Sequence, residues 1–88
     1  MKELISIIIP IFNRAHLIVE TLDSIISQSY TNWECIIVDD GSTDNIQMVI
    51  NKYIKKDKRF KLYKRPIDLI KGPSSCRNFG FYKSTGAY

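Results

Sequence analysis

The sequence predicts an α/β fold built on a parallel sheet, and three observations support this class. Short apolar, β-branched runs alternate along the chain with longer stretches whose apolar residues recur at helical spacing. The order is strand, helix, strand, helix, strand, helix, which in one sheet requires parallel strands joined by right-handed crossovers. The first two apolar runs are also too continuous for strands with one wet face.

The first half of the chain supplies a strand-helix-strand unit. The run Leu4–Ile9 predicts a strand buried on both faces, and Pro10 marks its expected end because proline cannot donate to a ladder. Asn13 is expected to cap a helix over about residues 14–28. The apolar face of that helix is formed by Ile18, Leu22, Ile25 and Ile26. The second strand is predicted at Trp33–Val38.

The second half repeats the alternation. A helix is expected over about residues 44–56, and Phe60–Tyr63 predicts an edge strand. The apolar face of the helix is formed by Ile46, Val49, Ile50 and Tyr53. A third helix is predicted from about Ser74 to Lys83, and Gly86–Tyr88 resembles the approach to a further strand.

Composition excludes several classes of protein. The chain has 88 residues, of which 44% are hydrophobic and 25% charged, so it holds one domain at most and is neither collagen nor low-complexity. Its longest apolar run, Ile7–Phe12, is far shorter than a membrane span, and we expect no signal peptide. Cys35 and Cys76 cannot form a disulfide framework, which predicts reduced thiols and a cytoplasmic location.

Charge is divided unevenly along the chain. The net charge of +4 combines −5 over residues 1–44 with +9 over residues 45–88. This pattern is weak support for nucleic-acid binding, and we expect no nucleic-acid partner. The basic stretch Lys52–Arg65 is expected to be a solvated surface, with peripheral contact to an anionic membrane as the alternative. His16 lacks neighbours at metal-ligand spacing and is expected on the surface.

Ligands of parallel α/β sheets bind at the carboxyl ends of the strands, which directs attention to two segments. Pro10–Arg14 contains no glycine, and this excludes a dinucleotide fingerprint and a P-loop. Phe12 is then either a core aromatic or part of a pocket. After the second strand, Gly41 is expected at positive φ and Ser42, Thr43 or Asp44 as a helix cap. The adjacent carboxylates of Asp39 and Asp40 remain unexplained by a turn and point to a ligand.

These segments together resemble the opening of family 2 glycosyltransferases. The resemblance covers Ser6–Arg14, Ser24–Tyr30 and Ile36–Asp44, followed by Arg77–Gly80 and Gly86–Tyr88, in the order and spacing of the family. It implies a Rossmann-like GT-A fold of which residues 1–88 are the N-terminal, nucleotide-sugar-binding portion. The implied activity is transfer of a sugar, expected from a UDP-linked donor, to a saccharide or lipid-linked acceptor with inversion.

The resemblance also implies binding residues. Pro10, Ile11 and Phe12 would line the base pocket, and Asp39, with Asp40 beside it, would contact the base or ribose. Arg77 would face the diphosphate, for which its planar fork of donors is suited. Cys76 stands where the family usually has Ala, and Ile70 stands where it often has Asn.

Groups needed for the reaction are expected outside the sequence. In the family an Asp-x-Asp motif on the next strand holds Mn²⁺ or Mg²⁺, and the general base follows later. We therefore expect no catalytic or metal-binding residue within 1–88, no activity of this chain alone, and self-association through an exposed strand edge. The alternatives are a small non-catalytic α/β nucleotide-binding module and, less favoured for want of a Gly-rich first loop, a nucleotidyltransferase.

Overall fold

The computed structural model describes residues 4–66, 69 and 71–84, with only the backbone of Pro73. Within this part of the chain, strands and helices alternate in the predicted order. They are β1 (Ile5–Ile11), α1 (Ala15–Ser27), β2 (Trp33–Asp39), α2 (Ile46–Lys56), β3 (Phe60–Lys64) and α3 (Pro73–Lys83). The further strand predicted near Gly86–Tyr88, and the departure at Ile70, lie outside the described residues.

The strands form a parallel sheet in the order β1-β2-β3. Ile7 is in register with Cys35, which is in turn in register with Phe60. All seven residues of β2 are buried, as expected for a central parallel strand covered on both faces. The predictions of a parallel α/β sheet and of an edge position for β3 are confirmed.

One face of the sheet carries a thick apolar core beneath α1 and α2, which we call the α1/α2 face. Alternate residues of β2 point to this face because the side-chain period of a strand is two. The fully buried members include Leu22, Cys35, Ile37 and Ile50, with Trp33 and Phe60 almost as buried. Trp33 and Phe60 meet edge to face with ring centroids 5.2 Å apart.

The opposite face, which we call the α3 face, is covered by a smaller cluster. Its buried members are Ile36, Val38 and Cys76, with Tyr63 and Phe79 packed against them. Helix α3 approaches β1 closely at Gly80, where an added Cβ would lie 2.4 Å from Cγ2 of Ile8. The absence of a side chain at Gly80 therefore sets the distance between α3 and the sheet.

The first strand differs from its prediction in two respects. It continues through Pro10 to Ile11. The backbone of Ile11 hydrogen-bonds to the β2 side, whereas the backbone nitrogen of Pro10, which carries no hydrogen, points away from β2, so no ladder bond is lost. Most of its residues are half-buried rather than buried, since β1 lies at one edge of the described sheet.

The apolar faces of the helices are largely as predicted. Ile18 and Leu22 of α1 are buried, and so are Ile46 and Ile50 of α2. Ile26, predicted on the apolar face of α1, is 43% exposed. It lies in the last turn of the helix, past the part of α1 that packs on the core. The two helices are linked by the Tyr53 hydroxyl, which donates to Asp23 at 2.7 Å.

Polar residues at the amino ends of the strands are also accounted for. The buried Glu34 accepts from the Ser6 hydroxyl at 2.6 Å and pairs with the Lys61 ammonium at 3.1 Å. His16 is exposed, as predicted, and Cys35 and Cys76 are free, buried thiols. Among the described residues no helix is both long and apolar enough to cross a bilayer.

Candidate functional site at the carboxyl edge of the sheet

Three strand ends meet at the carboxyl edge of the sheet. Asp39 is in register with Ile11 on one side and with Lys64 on the other. The ladder extends one step further, since the Asp40 amide donates to the Ile11 carbonyl at 2.9 Å and the Arg65 amide donates to the Asp39 carbonyl at 2.8 Å. The loops that follow β1, β2 and β3 therefore begin side by side.

The first two of these loops are joined by the side chains of Asn13, Ser42 and Asp44, which we call the cross-loop network. The backbone amide of Asn13 donates to the Ser42 hydroxyl at 2.8 Å. The backbone amide of Thr43 donates to the side-chain Oδ1 of Asn13, also at 2.8 Å. Asp44 accepts the amide of Ala15 at 3.1 Å and that of Ile46 at 3.3 Å. One carboxylate thus satisfies the first amides of both α1 and α2.

The prediction that Asn13 caps α1 is wrong. The helix begins at Ala15, its N-cap position is Arg14, and Arg14 makes no side-chain cap. Asn13 instead adopts a left-handed φ of 50°, which asparagine tolerates better than most residues, and uses its side chain to hold Thr43. Gly41 has the predicted positive φ, at 90°.

The two adjacent carboxylates have different partners. Asp39 is 2% exposed and its Oδ1 accepts the Ser42 amide at 3.0 Å, closing the turn into α2. Asp40 is 6% exposed and is paired with Nε of Arg65. Because consecutive side chains point to opposite faces of a strand, the two carboxylates diverge. The repulsion that the sequence implied is further relieved by the guanidinium beside Asp40.

Arg65 also shapes the loop between β3 and α3. Its Nη1 donates to the carbonyl of Pro66 at 3.1 Å and to that of Leu69. The sequence assigned Arg65 to a solvated basic surface, and that assignment is wrong because the side chain is only 16% exposed and turns in towards Asp40. Lys52, Lys55, Lys56, Lys58 and Lys64 are exposed as predicted.

A pocket of about 230 Å³ opens at this edge and is lined by Pro10, Ile11, Phe12 and Asp40. The Phe12 ring is 40% exposed, so it is a pocket wall and not a core aromatic. The Lys71 ammonium lies over this ring, 3.8 Å from its centroid. The pocket therefore combines an apolar floor, one aromatic wall and one buried carboxylate.

Cys76 lies behind the pocket, against the Asp40 side of the sheet. Burial, together with the charge of the neighbouring Asp40 carboxylate and a hydrogen bond to it, raises the pKa of its thiol to about 11. Burial alone raises the pKa of Cys35 to about 12. Both thiols are therefore protonated and unreactive at neutral pH.

Of the predicted binding residues, the structure brings Pro10, Ile11, Phe12 and Asp40 to one pocket. Asp39 lies at the same strand end but directs its carboxylate to the turn. Arg77 follows Cys76 on α3 with an exposed side chain, and within the described residues its guanidinium makes neither a hydrogen bond nor an ion pair.

Two basic residues at the pocket, Arg65 and Lys71, were not predicted from sequence. A basic residue directly after the third strand could have indicated Arg65, since carboxyl ends of parallel strands converge. No local pattern marks Lys71, because its contact with Phe12 depends on the path of the loop before α3. In the part of the chain that is described, no three His, Cys, Asp or Glu side chains converge to hold a metal ion.

The fold has close counterparts among solved structures. A mannosyltransferase from Pyrobaculum calidifontis, in complex with GDP-Man and Mn²⁺, superposes with a TM-score of 0.84 at 26% identity over 98% of this chain and 26% of that one. TarS from S. aureus, in complex with UDP-GlcNAc, gives 0.82 at 28% identity over 97% of this chain and 24% of that one. The fold is thus GT-A.

Sequence relatives agree with this fold. An uncharacterized glycosyltransferase of Haemophilus influenzae is 45% identical over 97% of this chain and 33% of its own length. The Escherichia coli enzyme WfgD, a UDP-Glc:alpha-D-GlcNAc-diphosphoundecaprenol beta-1,3-glucosyltransferase, is 33% identical over 97% of this chain and 32% of its own. The chain thus spans about a third of the length of these relatives. Because the model of glycosyl transferase family 2 also matches residues 6–88, the chain belongs to that family.

Proposed function

We propose that this chain forms the nucleoside-binding part of an enzyme that transfers a sugar from a nucleotide-sugar donor to an acceptor hydroxyl with inversion. The observation that carries the proposal is the pocket, in which the exposed Phe12 ring and the buried Asp40 carboxylate lie together at the carboxyl edge of the sheet. An aromatic ring can stack on any nucleobase, and a carboxylate accepts from a base N–H.

Each predicted binding residue receives a role in this proposal. Phe12, with Pro10 and Ile11, would flank the base, and Asp40 would accept the imide N–H of a uracil ring. Asp39 would contribute mainly by holding the turn through the Ser42 amide. Arg77, exposed on α3, would approach the diphosphate.

UDP is the nucleotide we propose, although the solved counterparts carry either GDP-Man or UDP-GlcNAc. The name of the relative WfgD describes a UDP-linked glucose donor, and this favours UDP. Titration of the protein with UDP and with GDP compares the two directly. Tighter binding of GDP would contradict the choice of UDP.

A divalent cation does not fit the residues described here. Asp39 and Asp40 diverge, one accepting an amide and the other paired with Arg65, so they cannot share an ion. We propose that the Mn²⁺ or Mg²⁺ of the whole enzyme, and its general base, are held by residues outside this chain. Sugar transfer or metal-dependent donor hydrolysis by the chain alone would contradict this.

The experiment that tests the pocket compares two isosteric variants by calorimetric titration with UDP. Asp40→Asn should weaken binding by about 1 kcal/mol, the difference between a hydrogen bond to a charged acceptor and one to a neutral acceptor. Asp39→Asn should weaken it less, because in this proposal the Asp39 carboxylate accepts from the Ser42 amide and not from the base. Glu20→Gln, on the exposed surface of α1, is the matched control and should leave UDP binding unchanged.

Two outcomes would revise the proposal. A large loss in Asp39→Asn with none in Asp40→Asn would assign the base contact to Asp39, as the sequence alone predicts. No binding of UDP or GDP by the unmodified protein would reject the nucleotide pocket altogether.

We propose further that the acceptor is a saccharide or a lipid-linked sugar, as in the reaction that the name of WfgD describes. We propose that the enzyme works in the cytoplasm, where the exposed lysines of α2 contact anionic lipid and the edge that β1 forms in the described sheet pairs with a second chain. Sedimentation of the protein alone measures self-association, and co-sedimentation with anionic vesicles measures lipid binding. A monomer that does not co-sediment with the vesicles would contradict both points.

A further inference from the structure

Lys71 occupies an unusual place for an exposed lysine. Its ammonium lies 3.8 Å from the centroid of the Phe12 ring, on the wall of the pocket that also contains Asp40. A cation over an exposed aromatic ring is held weakly, because the ammonium remains largely hydrated. Among the described residues Lys71 forms no ion pair, so its charge is available at the rim.

The loop that carries Lys71 is fixed at both ends. At its start Arg65 is paired with Asp40 and donates to the carbonyls of Pro66 and Leu69. At its end Gly72 has a φ of +142°, which side-chain-bearing residues rarely adopt, and the chain then enters α3. Lys71 therefore lies between Leu69, whose carbonyl Arg65 holds, and the glycine that precedes α3.

Lys71 supplies a positive charge that the residues lining the pocket do not. Arg65 neutralises Asp40, so the pocket wall without Lys71 carries no net positive charge. A nucleoside would find an aromatic ring and an N–H acceptor there, but the residues that line the pocket offer a phosphate group no cation, since Arg77 lies on α3 outside this lining. The ammonium at the rim supplies one, and leaving the Phe12 ring costs little.

We propose that Lys71 makes the pocket prefer phosphorylated nucleosides, by moving from the Phe12 ring to a phosphate oxygen when the base enters. This inference rests on the proposed nucleotide pocket and adds to it a residue that discriminates UDP from uridine. Lys71 acts by charge, and so arginine can replace it whereas a neutral side chain of the same length cannot.

The test measures the affinity of the protein for uridine and for UDP, with EDTA present so that no metal contributes. Lys71→Met should weaken UDP binding about three- to tenfold, the range between an exposed ion pair and a charged hydrogen bond. It should leave uridine binding within about twofold. Lys71→Arg should retain the preference for UDP, and Lys52→Met, on the exposed surface of α2, should match the unmodified protein.

Added salt provides a second readout that a merely structural role would not affect. Raising the ionic strength should weaken UDP binding to the unmodified protein more than to Lys71→Met. Salt screens the attraction between the Lys71 ammonium and the phosphate, and the variant lacks this attraction. Equal losses of uridine and UDP in Lys71→Met, or no loss of either, would overturn the role of Lys71 while leaving the pocket intact. Absence of uridine and UDP binding by the unmodified protein would instead overturn the pocket itself.

Discussion

The two faces of the sheet are built for different purposes. The α1/α2 face buries large side chains such as Leu22, Trp33 and Phe60 in one continuous cluster. The α3 face buries few apolar residues, and the carboxylate of Asp40 lies beside its Cys76. The face with the smaller apolar cluster is thus the one on which the buried charged pair of Asp40 and Arg65 lies.

The largest expected effect comes from opening a cavity in the α1/α2 face. Leu22 is fully buried, so Leu22→Ala should lower the free energy of unfolding by about 2–5 kcal/mol. Leu17→Ala, on the exposed side of the same helix, is the control and should stay within about 0.5 kcal/mol. Urea denaturation measures both. If the folded fraction of Leu22→Ala bound UDP more weakly than the unmodified protein, the division between the faces would fail.

A smaller loss of stability, with an effect on binding, is expected on the α3 face. Gly80→Ala would place a Cβ 2.4 Å from Cγ2 of Ile8, so α3 must shift, at a cost of roughly 1–3 kcal/mol. Because α3 carries Cys76 beside Asp40, the shift should also weaken UDP binding.

Two further variants isolate the clash at Gly80. Adding Ile8→Ala removes the methyl group, so the double variant should be less destabilised than the sum of the single ones. Tyr82→Ala changes an exposed residue of the same helix and should alter neither stability nor binding. Additive losses in the double variant would show that α3 does not rest on Ile8.

The cross-loop network should contribute about 1 kcal/mol, the usual value of a helix cap. Asp44→Ala removes the acceptor for the amides of Ala15 and Ile46, and Asp44→Asn retains one oxygen and should be affected less. Thermal unfolding followed by circular dichroism measures the difference. Equal stability of Asp44→Ala and the unmodified protein would contradict the double cap.

The smallest expected effect is on the pH dependence of the free energy of unfolding, to which each face contributes one buried thiol. The pKa of Cys35 is raised to about 12 and that of Cys76 to about 11, from 9.0, so the unfolded chain loses these protons first as pH rises. The stability that the protonated thiols contribute is complete below pH 9 and falls above it, by less than about 1 kcal/mol per thiol at pH 9.5. Cys76→Ala should reduce this fall, and an unchanged pH dependence would contradict the raised pKa.

The elements and the parallel sheet could be predicted from sequence because they follow from periodicity within single segments. The end of β1 was wrongly placed at Pro10, because whether a strand can contain proline depends on which way the proline nitrogen points relative to the neighbouring strand. The position of Arg65 directly after the third strand was a usable signal that was not used, whereas Lys71 could not be predicted because it contacts a residue of a distant loop. Asn13 shows the same limit, because its side chain serves Thr43, thirty residues away, in place of its own helix.

The cross-loop network also bears on how this chain tolerates change in the loops after β1 and β2. Because Asn13 and Thr43 hold each other, and Asp44 holds the first turn of α1, neither loop can gain or lose a residue without misplacing the other. Altering the ligand preference of the pocket by loop exchange would therefore require both loops to be taken together from the same donor protein. Among the described residues the loop after β3 contacts them through the Arg65–Asp40 pair and through Lys71 over the Phe12 ring, so exchanging it alone would remove both of these contacts.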